Sequence, residues 1–587
     1  MGSTIESMIS SYRKNWGVRA GILIFLLTAW LRILSLTDAL LSPYILVVLL
    51  GLYSFGKSLY GRIEMSSKEK TIGVFFSIAF SSAVCLASYR YLLSERVHIL
   101  DSIVLFLGGC ILGWYVLLLT LSSEEWVNKS RDDLIAKNRK NAAGCFLMVY
   151  GSIILVYLLT LYCCLAPGIL TPDSISQVGQ SLSGSYSNHH PFWHTMMIKT
   201  CMDLGMTLFH NINMAVTTYC VFQVLCLAAI FSYVCMTLYE IGIRRIWIAV
   251  IAMSYAILPH HLLYSVTVWK DVLFGGSVTL FTCALYRIIK NIGKSPVNDV
   301  TLAIGALGCC VLRSNGMAAF AFTFLVFAIF FWKKEKKAFL IMLSVIVVAF
   351  VLKYPVLKAL NVQQPDTIEY LSIPAQQIAR VIVEGKEIDE NDLLLIEQVV
   401  DIEAVKNDYK PYISDPIKDL VRKTGEGYLT DHKKEYFSLW VRLALKYPTI
   451  YLSAWIDQTK GYWNGGYKYW VVAYGVHENE YSIVASSPDN IVKKIVVKWV
   501  STFFNNSAFE PFRSIGLHVW IIIACGVTLA IRKRQEGILV VLPLAVILTL
   551  LISTPVFSEF RYAYAIFTTL PLIFAVTFFP RYIQDKG

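Results

Sequence analysis

Charge is what this chain has least of. Asp, Glu, Lys and Arg make up 16% of its 587 residues, whereas a soluble protein of that length carries about a quarter. So small a charged fraction excludes an ordinary water-soluble enzyme. A cleavable leader is also missing: residues 1–19 are polar, 21–36 continue as a full span, and no small-residue cleavage site follows. The thirteen cysteines form no CxxC or Cys/His pattern, and most sit inside apolar runs, as Cys163, Cys164, Cys309 and Cys310 do. That excludes a disulfide framework or a zinc site and leaves them as small packing residues. No GxxxxGK[ST], DxD or GxGxxG segment occurs, so nothing points to a nucleotide.

What is present is hydrophobic, 56% of the chain, with 13% aromatic. Apolar runs approaching the roughly 20 residues needed to cross a hydrocarbon core recur throughout. Polar breaks divide them into about fourteen spans, near 20–37, 40–58, 71–89, 98–121, 142–165, 212–238, 246–259, 272–290, 299–312, 317–332, 338–353, 516–531, 537–553 and 562–580. The fold class expected is therefore an all-α polytopic membrane protein, with membrane lipids as its surroundings. Every second loop is basic: Arg13, Lys14 and Arg19; Lys57 to Lys70; Lys129 to Lys140; Arg244 and Arg245; Arg287 to Lys294; Lys333 to Lys337; Arg532 to Arg534; and Arg581. By the positive-inside rule both termini are cytoplasmic. The net charge of +12 is then a topology signal, and nucleic-acid binding is not expected.

Residues 354–515 are too polar to span and fall outside by this alternation, with helical patterns at 367–384, 391–400 and 432–460, the last broken at Pro448. The chain thus divides into an N-terminal four-span segment (1–140), a membrane module (141–353), a mainly helical extracytoplasmic domain (354–515) and a three-span C-terminal segment (516–587). Within 490–504, Lys493, Lys494 and Lys498 lie among Ile, Val and Trp, a pattern for a helix in the membrane interface or one buried in the domain.

Polar residues at outer helix ends are the informative ones, because ionisable groups near membrane depth usually face a cavity and carry function. Five positions stand out: Asp173, the run from Asn188 to His194, Lys270–Asp271, Arg313 to Asn315, and Glu559 to Tyr562. Asp173 follows Pro172 in LTPDSISQ, and it either belongs to a helix N-terminus or serves as a base that takes a proton from a hydroxyl. His189, His190 and His194 can hydrogen-bond a substrate phosphate or the catalytic carboxylate. His190 and His194 also have the i, i+4 spacing of metal ligands, and the bland alternative is a helix start anchored by Phe192 and Trp193. Lys270 and Asp271 form an interfacial ion pair or join a site. Arg313, followed by Asn315, and Arg561, beside Glu559 and Tyr562, offer planar donor forks suited to phosphate. Converging outside, such cations and acids describe a site for a phosphorylated donor and a hydroxylic acceptor. A donor reached only from outside must be carried on a lipid.

These features together resemble the GT-C membrane glycosyltransferases, which use polyprenyl-phosphate sugars. LTPDSISQ followed by HHPFWHT looks like that family's first long outer loop, and the likeness covers residues 140–353 and 516–580. The segments LSIPAQQIARVI (371–382) and YISDPIKD (412–419) look like a bacterial group within the superfamily. The resemblance implies a GT-C-like fold and inverting transfer of a sugar from a polyprenyl-phosphate donor to a glycan or glycolipid acceptor of the cell envelope. Asp173 would then be the general base, and Lys270, Arg313 and Arg561 would hold the phosphate. Relatives show paired acids in that loop, whereas Asp173 stands alone beside Ser174. A divalent cation between Asp173 and Asp271 is an optional cofactor in this reading. The competing expectations are a flippase or transporter of lipid-linked saccharides, with polar residues at mid-membrane and on both faces, and a polysaccharide polymerase or ligase sharing the same outer site.

Overall fold

The computed structural model describes residues 65–92, 99–121, 135, 138–293, 296–465 and 474–578. The spans expected near 20–37 and 40–58 lie outside the described residues, as do Lys294 and Arg581. Helices carry the fold, and among the described residues strand pairing is limited to isolated bridges. Among the described residues seven helices are long and apolar enough to cross a membrane: Ser67–Ala87, Ala142–Cys164, Ile212–Glu240, Lys270–Ile289, Lys336–Ala359, Gln535–Ser553 and Phe560–Phe578. Five shorter apolar helices accompany them, Phe106–Leu118, Arg245–Ile257, Pro296–Val311, Gly316–Phe331 and Ile515–Ile531. This is a helical membrane protein. Sixteen residues from Pro296 to Val311 extend about 24 Å, short of the roughly 30 Å hydrocarbon core. Arg313 follows directly on this short helix.

Two helices form the centre. Ile212–Glu240 packs against Ala142–Cys164, Phe192–Phe209 and Lys270–Ile289, and Lys270–Ile289 packs in turn against Pro296–Val311. The last pair approaches closely at Gly305, where a Cβ would lie 2.6 Å from the backbone nitrogen of Phe281. One continuous apolar core runs from Ala87 to Val576 through these helices. At one end of the bundle Arg287 meets Glu240 and Asn298, and Glu536 holds Lys290 at 3.0 Å and Arg534 at 2.7 Å. At the opposite end the loops carry the unusual residues.

Those loops are tied by short strand-like pairings. Ile169 N–H donates to Val266 (2.8 Å), Val268 N–H to Ile169 (3.0 Å), and His477 N–H to Leu170 (2.8 Å). Beneath them the buried Gln223 side chain donates from Nε2 to the carbonyls of Tyr264, Ser265 and Thr267 at 2.8–3.0 Å. Its Oε1 accepts from Tyr219.

The polar insert has its own apolar core, built from residues between Ile368 and Tyr451. Its helices Ser372–Val383, Glu390–Val399, Lys433–Lys446 and Pro448–Thr459 follow the expected pattern, with the break at Pro448. From Ile456 onward, however, Tyr462, Trp463, Ile483, Val500 and Ile515 join the main core. The separate domain is therefore shorter than 354–515. The helix Ile491–Asn505 buries Val500 and Phe503 and leaves Ile491, Ile495 and Val497 exposed, the division suited to a membrane interface.

Replacing Gln223 with Leu takes a donor from three buried carbonyls; Tyr264 and Thr267 keep the N–H groups of Thr267 and Trp269, while Ser265 loses its Gln223 donor, a loss on the order of 1–3 kcal/mol. The Q223L protein should melt at lower temperature in detergent, and an unchanged thermal unfolding midpoint would contradict this role.

Candidate active site

Four segments distant in sequence meet at one end of the membrane helices, the fourth being residues 269–271. In the first, Thr171 caps the helix Pro172–Ser183, with Pro172 in its first turn. The Thr171 N–H donates to Ser174 Oγ (3.0 Å), whose hydroxyl donates to the Val268 carbonyl (2.8 Å). The indole N–H of Trp269 donates to Thr171 Oγ1 (2.6 Å). Capping thus falls to Thr171 and Ser174, which leaves the Asp173 carboxylate free to reach Arg561, Oδ2 to Nη1, at 2.6 Å.

The second segment is the turn Phe560–Ala563 that begins the last helix. Tyr462 fixes its approach: the phenol accepts the Glu559 N–H (3.1 Å) and donates to the Val556 carbonyl (2.9 Å). The Arg561 guanidinium lies 4.8 Å from the Trp269 ring and 5.1 Å from the Tyr562 ring. Glu559 Oε1 stands 3.7 Å from Arg561 Nε, which has no hydrogen-bond partner among the described residues.

Arg313 supplies the third. Its Nη1 donates to the Tyr562 carbonyl (3.0 Å), and its guanidinium sits 4.6 Å from the Tyr562 ring. Tyr562 therefore separates two guanidinium groups and touches both. The charge of Arg313 is answered by Asp271, whose Oδ1 lies 3.1 Å from Nε and whose side chain is fully buried.

Lys270 donates to His190 Nδ1 at 2.8 Å. Lysine is a donor only, so His190 accepts as the neutral imidazole with its proton on Nε2. Burial and then the Lys270 charge push His190 down to about 2, in keeping with that tautomer. For Asp173, burial favours the neutral acid, but the charges of Arg561 and Lys270 outweigh it and hold the carboxyl well below the usual range. Glu559 goes the other way: burial lifts it above the ordinary carboxylate value, with Asp271 adding to the lift and Arg561 opposing it. Two acids flanking one arginine are thus driven apart in acidity, a pattern found where protons are exchanged.

Not every expected site residue reaches this cluster. His194 is fully buried with both ring nitrogens engaged, Nδ1 with Gln177 (3.1 Å) and Nε2 with Tyr219 (2.7 Å). It braces the loop and is turned away from any substrate, and His190 faces Lys270, so the two do not form a metal pair. Asn315 donates to Thr549 Oγ1 (2.6 Å), a helix-to-helix contact. His189 points to the insert, 4.0 Å from Glu369. Asp173 and Asp271 each face a different arginine, and among the described residues no three His, Cys, Asp or Glu side chains gather as metal ligands. Sequence reasoning missed Tyr462, Gln177 and Tyr219, aromatic and amide residues in apolar settings that no local pattern marks.

Asp173 has a folded-state value below its unfolded one. The ion pair therefore stabilises the protein above about pH 4, the unfolded carboxylate value, and loses that contribution as pH falls through the lower folded value. A double-mutant cycle of Asp173→Asn with Arg561→Met should give a coupling of about 1–2 kcal/mol, modest because Asp173 is about a third exposed. The coupling should be equal at pH 7 and pH 5 in thermal melts; its loss at pH 5 would mean a carboxyl raised above the ordinary value.

No curated protein and no solved structure matches the chain. Residues 181–582 match the model of a family of unknown function, DUF6020, a segment that holds Lys270, Arg313 and Arg561 and begins just after Asp173. Because that match spans well over half of the sequence, the chain belongs to the DUF6020 family.

Proposed function

We propose that the protein is a GT-C-type glycosyltransferase of about fourteen spans, with both termini cytoplasmic and the cluster on the outer face. It moves a sugar from a polyprenyl-phosphate donor to a hydroxyl of a cell-envelope glycan or glycolipid. The observation that carries this reading is the 2.6 Å contact of Asp173 with Arg561, beside Lys270 and Arg313 at the ends of apolar helices. An acid that can take a proton and cations that can hold a phosphate share one small volume.

In the reaction the acceptor oxygen attacks the anomeric carbon from the face opposite the phosphate. The carbon–oxygen bond to phosphate breaks, the polyprenyl phosphate leaves with the electron pair, and the acceptor proton passes to Asp173. Inversion follows from the single displacement. Lys270 and Arg561 offset the negative charge that develops on the leaving oxygen. Held by Arg561, the Asp173 carboxylate is a weak base. Arrival of the donor phosphate supplies a competing partner for Arg561, and Asp173 regains basicity only once the donor is in place. This order protects against proton abstraction without a donor.

The separation of Glu559 from Asp173 in acidity makes Glu559 the second proton acceptor to be tested. Asp173→Asn and Glu559→Gln should be assayed against a panel of polyprenyl-phosphate sugars. Loss of a general base typically costs about 10²–10⁴ in rate. That loss is expected in D173N, with E559Q much less affected. Full turnover by D173N with loss in E559Q moves the base to Glu559. Movement of a lipid-linked saccharide across the membrane without a new glycosidic bond would instead mark a flippase.

A further inference from the structure

A cavity of about 1190 Å³ opens beside the cluster, between the last turn of Lys336–Lys353, the short helix Pro355–Ala359, residues 364–374 and the start of Lys433–Lys446. This exceeds the roughly 300–1,000 Å³ of most small-molecule sites, so it has room for several sugar units. Among the described residues its lining contains Lys353, Lys358 and Lys433 and no aspartate or glutamate. Elsewhere in the insert several basic side chains are matched, Lys406 with Glu403, Lys418 with Glu369 and Asp415, Lys446 with Asp389, and Arg422 with Asp366. Lys358 and Lys433 make no ion pair among the described residues and are exposed.

Aromatic rings line the same space. Tyr354, Tyr370 and Phe437 are more than half exposed, and Trp440 stands with them. Large apolar rings left uncovered in a cleft suit the CH faces of sugar rings, whereas a lipid phosphate needs only the cations. Asn361, Gln364 and Thr367 add amide and hydroxyl groups on the same walls. The cleft also abuts the cluster. Lys353 Nζ donates to the carbonyls of Cys310, Arg313 and Ser314 at 3.3–3.4 Å, and Glu369, beside the cavity-lining Tyr370, lies 4.0 Å from His189.

We propose that this cleft binds the acceptor, and that the acceptor is a polyanionic oligosaccharide or polyol chain bearing phosphate or carboxylate in its repeat. Only the word acceptor rests on the glycosyltransferase reading; the binding is measurable without turnover. Lys358 and Lys433 meet the anionic groups, and Tyr370, Phe437 and Trp440 meet the ring faces.

The test uses the full chain in zwitterionic nanodiscs without donor, titrated calorimetrically with an oligogalacturonate, an oligo(glycerol phosphate) and a neutral isomalto-oligosaccharide. At least one anionic probe should bind, more weakly as salt rises, and the neutral probe should bind far less well. Lys358→Gln/Lys433→Gln should weaken binding about tenfold, as should Phe437→Ala, all at exposed positions. Absence of binding by both anionic probes, or binding undiminished in these variants, overturns the proposal. So does displacement of the probes by nanodiscs containing phosphatidylglycerol, which would mark a lipid headgroup site. Asp173→Asn should bind the probes as the wild type does, so failure of the catalytic reading and failure of this one give different results.

Discussion

Everything at the loop end of the helix bundle around this cluster depends on the contact between Asp173 and Arg561, residues 388 positions apart. Neither charge is cheap there. Arg561 is mostly buried and Asp173 only about a third exposed, and removing one partner of a well-buried pair typically costs on the order of 3–5 kcal/mol because the other charge is stranded. A loop between two apolar helices must therefore reach the start of the last helix, and both ends must be held still. The rings of Trp269 and Tyr562 serve that need by covering the guanidinium with faces of negative potential.

Holding the loop still is the work of a buried polar ladder. His194 joins Gln177 to Tyr219, Tyr219 passes to Gln223, and Gln223 binds the carbonyls of the turn that leads into Trp269 and Lys270. Each rung uses a side chain whose polar atoms would be costly to bury alone. The ladder thus couples the position of Asp173 to that of Lys270 through a path distinct from their shared neighbour Arg561. A histidine in a polar loop invites a chemical role, yet here its two nitrogens serve architecture.

What was legible in the sequence followed from periodicity and hydropathy. Helices near 142–165, 212–238 and 272–290 could be read because their apolar runs are long and bounded by charge, and they appear as Ala142–Cys164, Ile212–Glu240 and Lys270–Ile289. Asp173, Lys270, Arg313 and Arg561 were visible as ionisable groups where apolar runs end. Their pairings were not, since no local pattern tells Arg313 to face Asp271 and Arg561 to face Asp173. The end of the insert was misjudged for the same kind of reason. Residues from Ile456 to Trp463 are mixed in polarity, and only the tertiary packing of Tyr462 under the 554–559 turn assigns them to the membrane body.

Charge balance decides what kind of ligand such a site favours. Arg313, Arg561 and Lys270 face Asp173, Asp271 and Glu559, which would cancel if all were ionised. They do not act equally. Asp271 is committed to Arg313 in a fully buried pair, and Asp173 is committed to Arg561. Glu559 is lifted by burial toward its neutral form, while His190 stays neutral against Lys270. Among the described residues Lys270 therefore pairs with no carboxylate, and Arg561 Nε has no hydrogen-bond partner. A divalent cation entering here would meet Lys270 and the two guanidinium groups that already pair with Asp173 and Asp271. An anion would meet an ammonium group and a guanidinium held by rings, whose fixed geometry costs little to reorganise. In the proposed transfer, that arrangement supports a phosphate ligand over a metal ion.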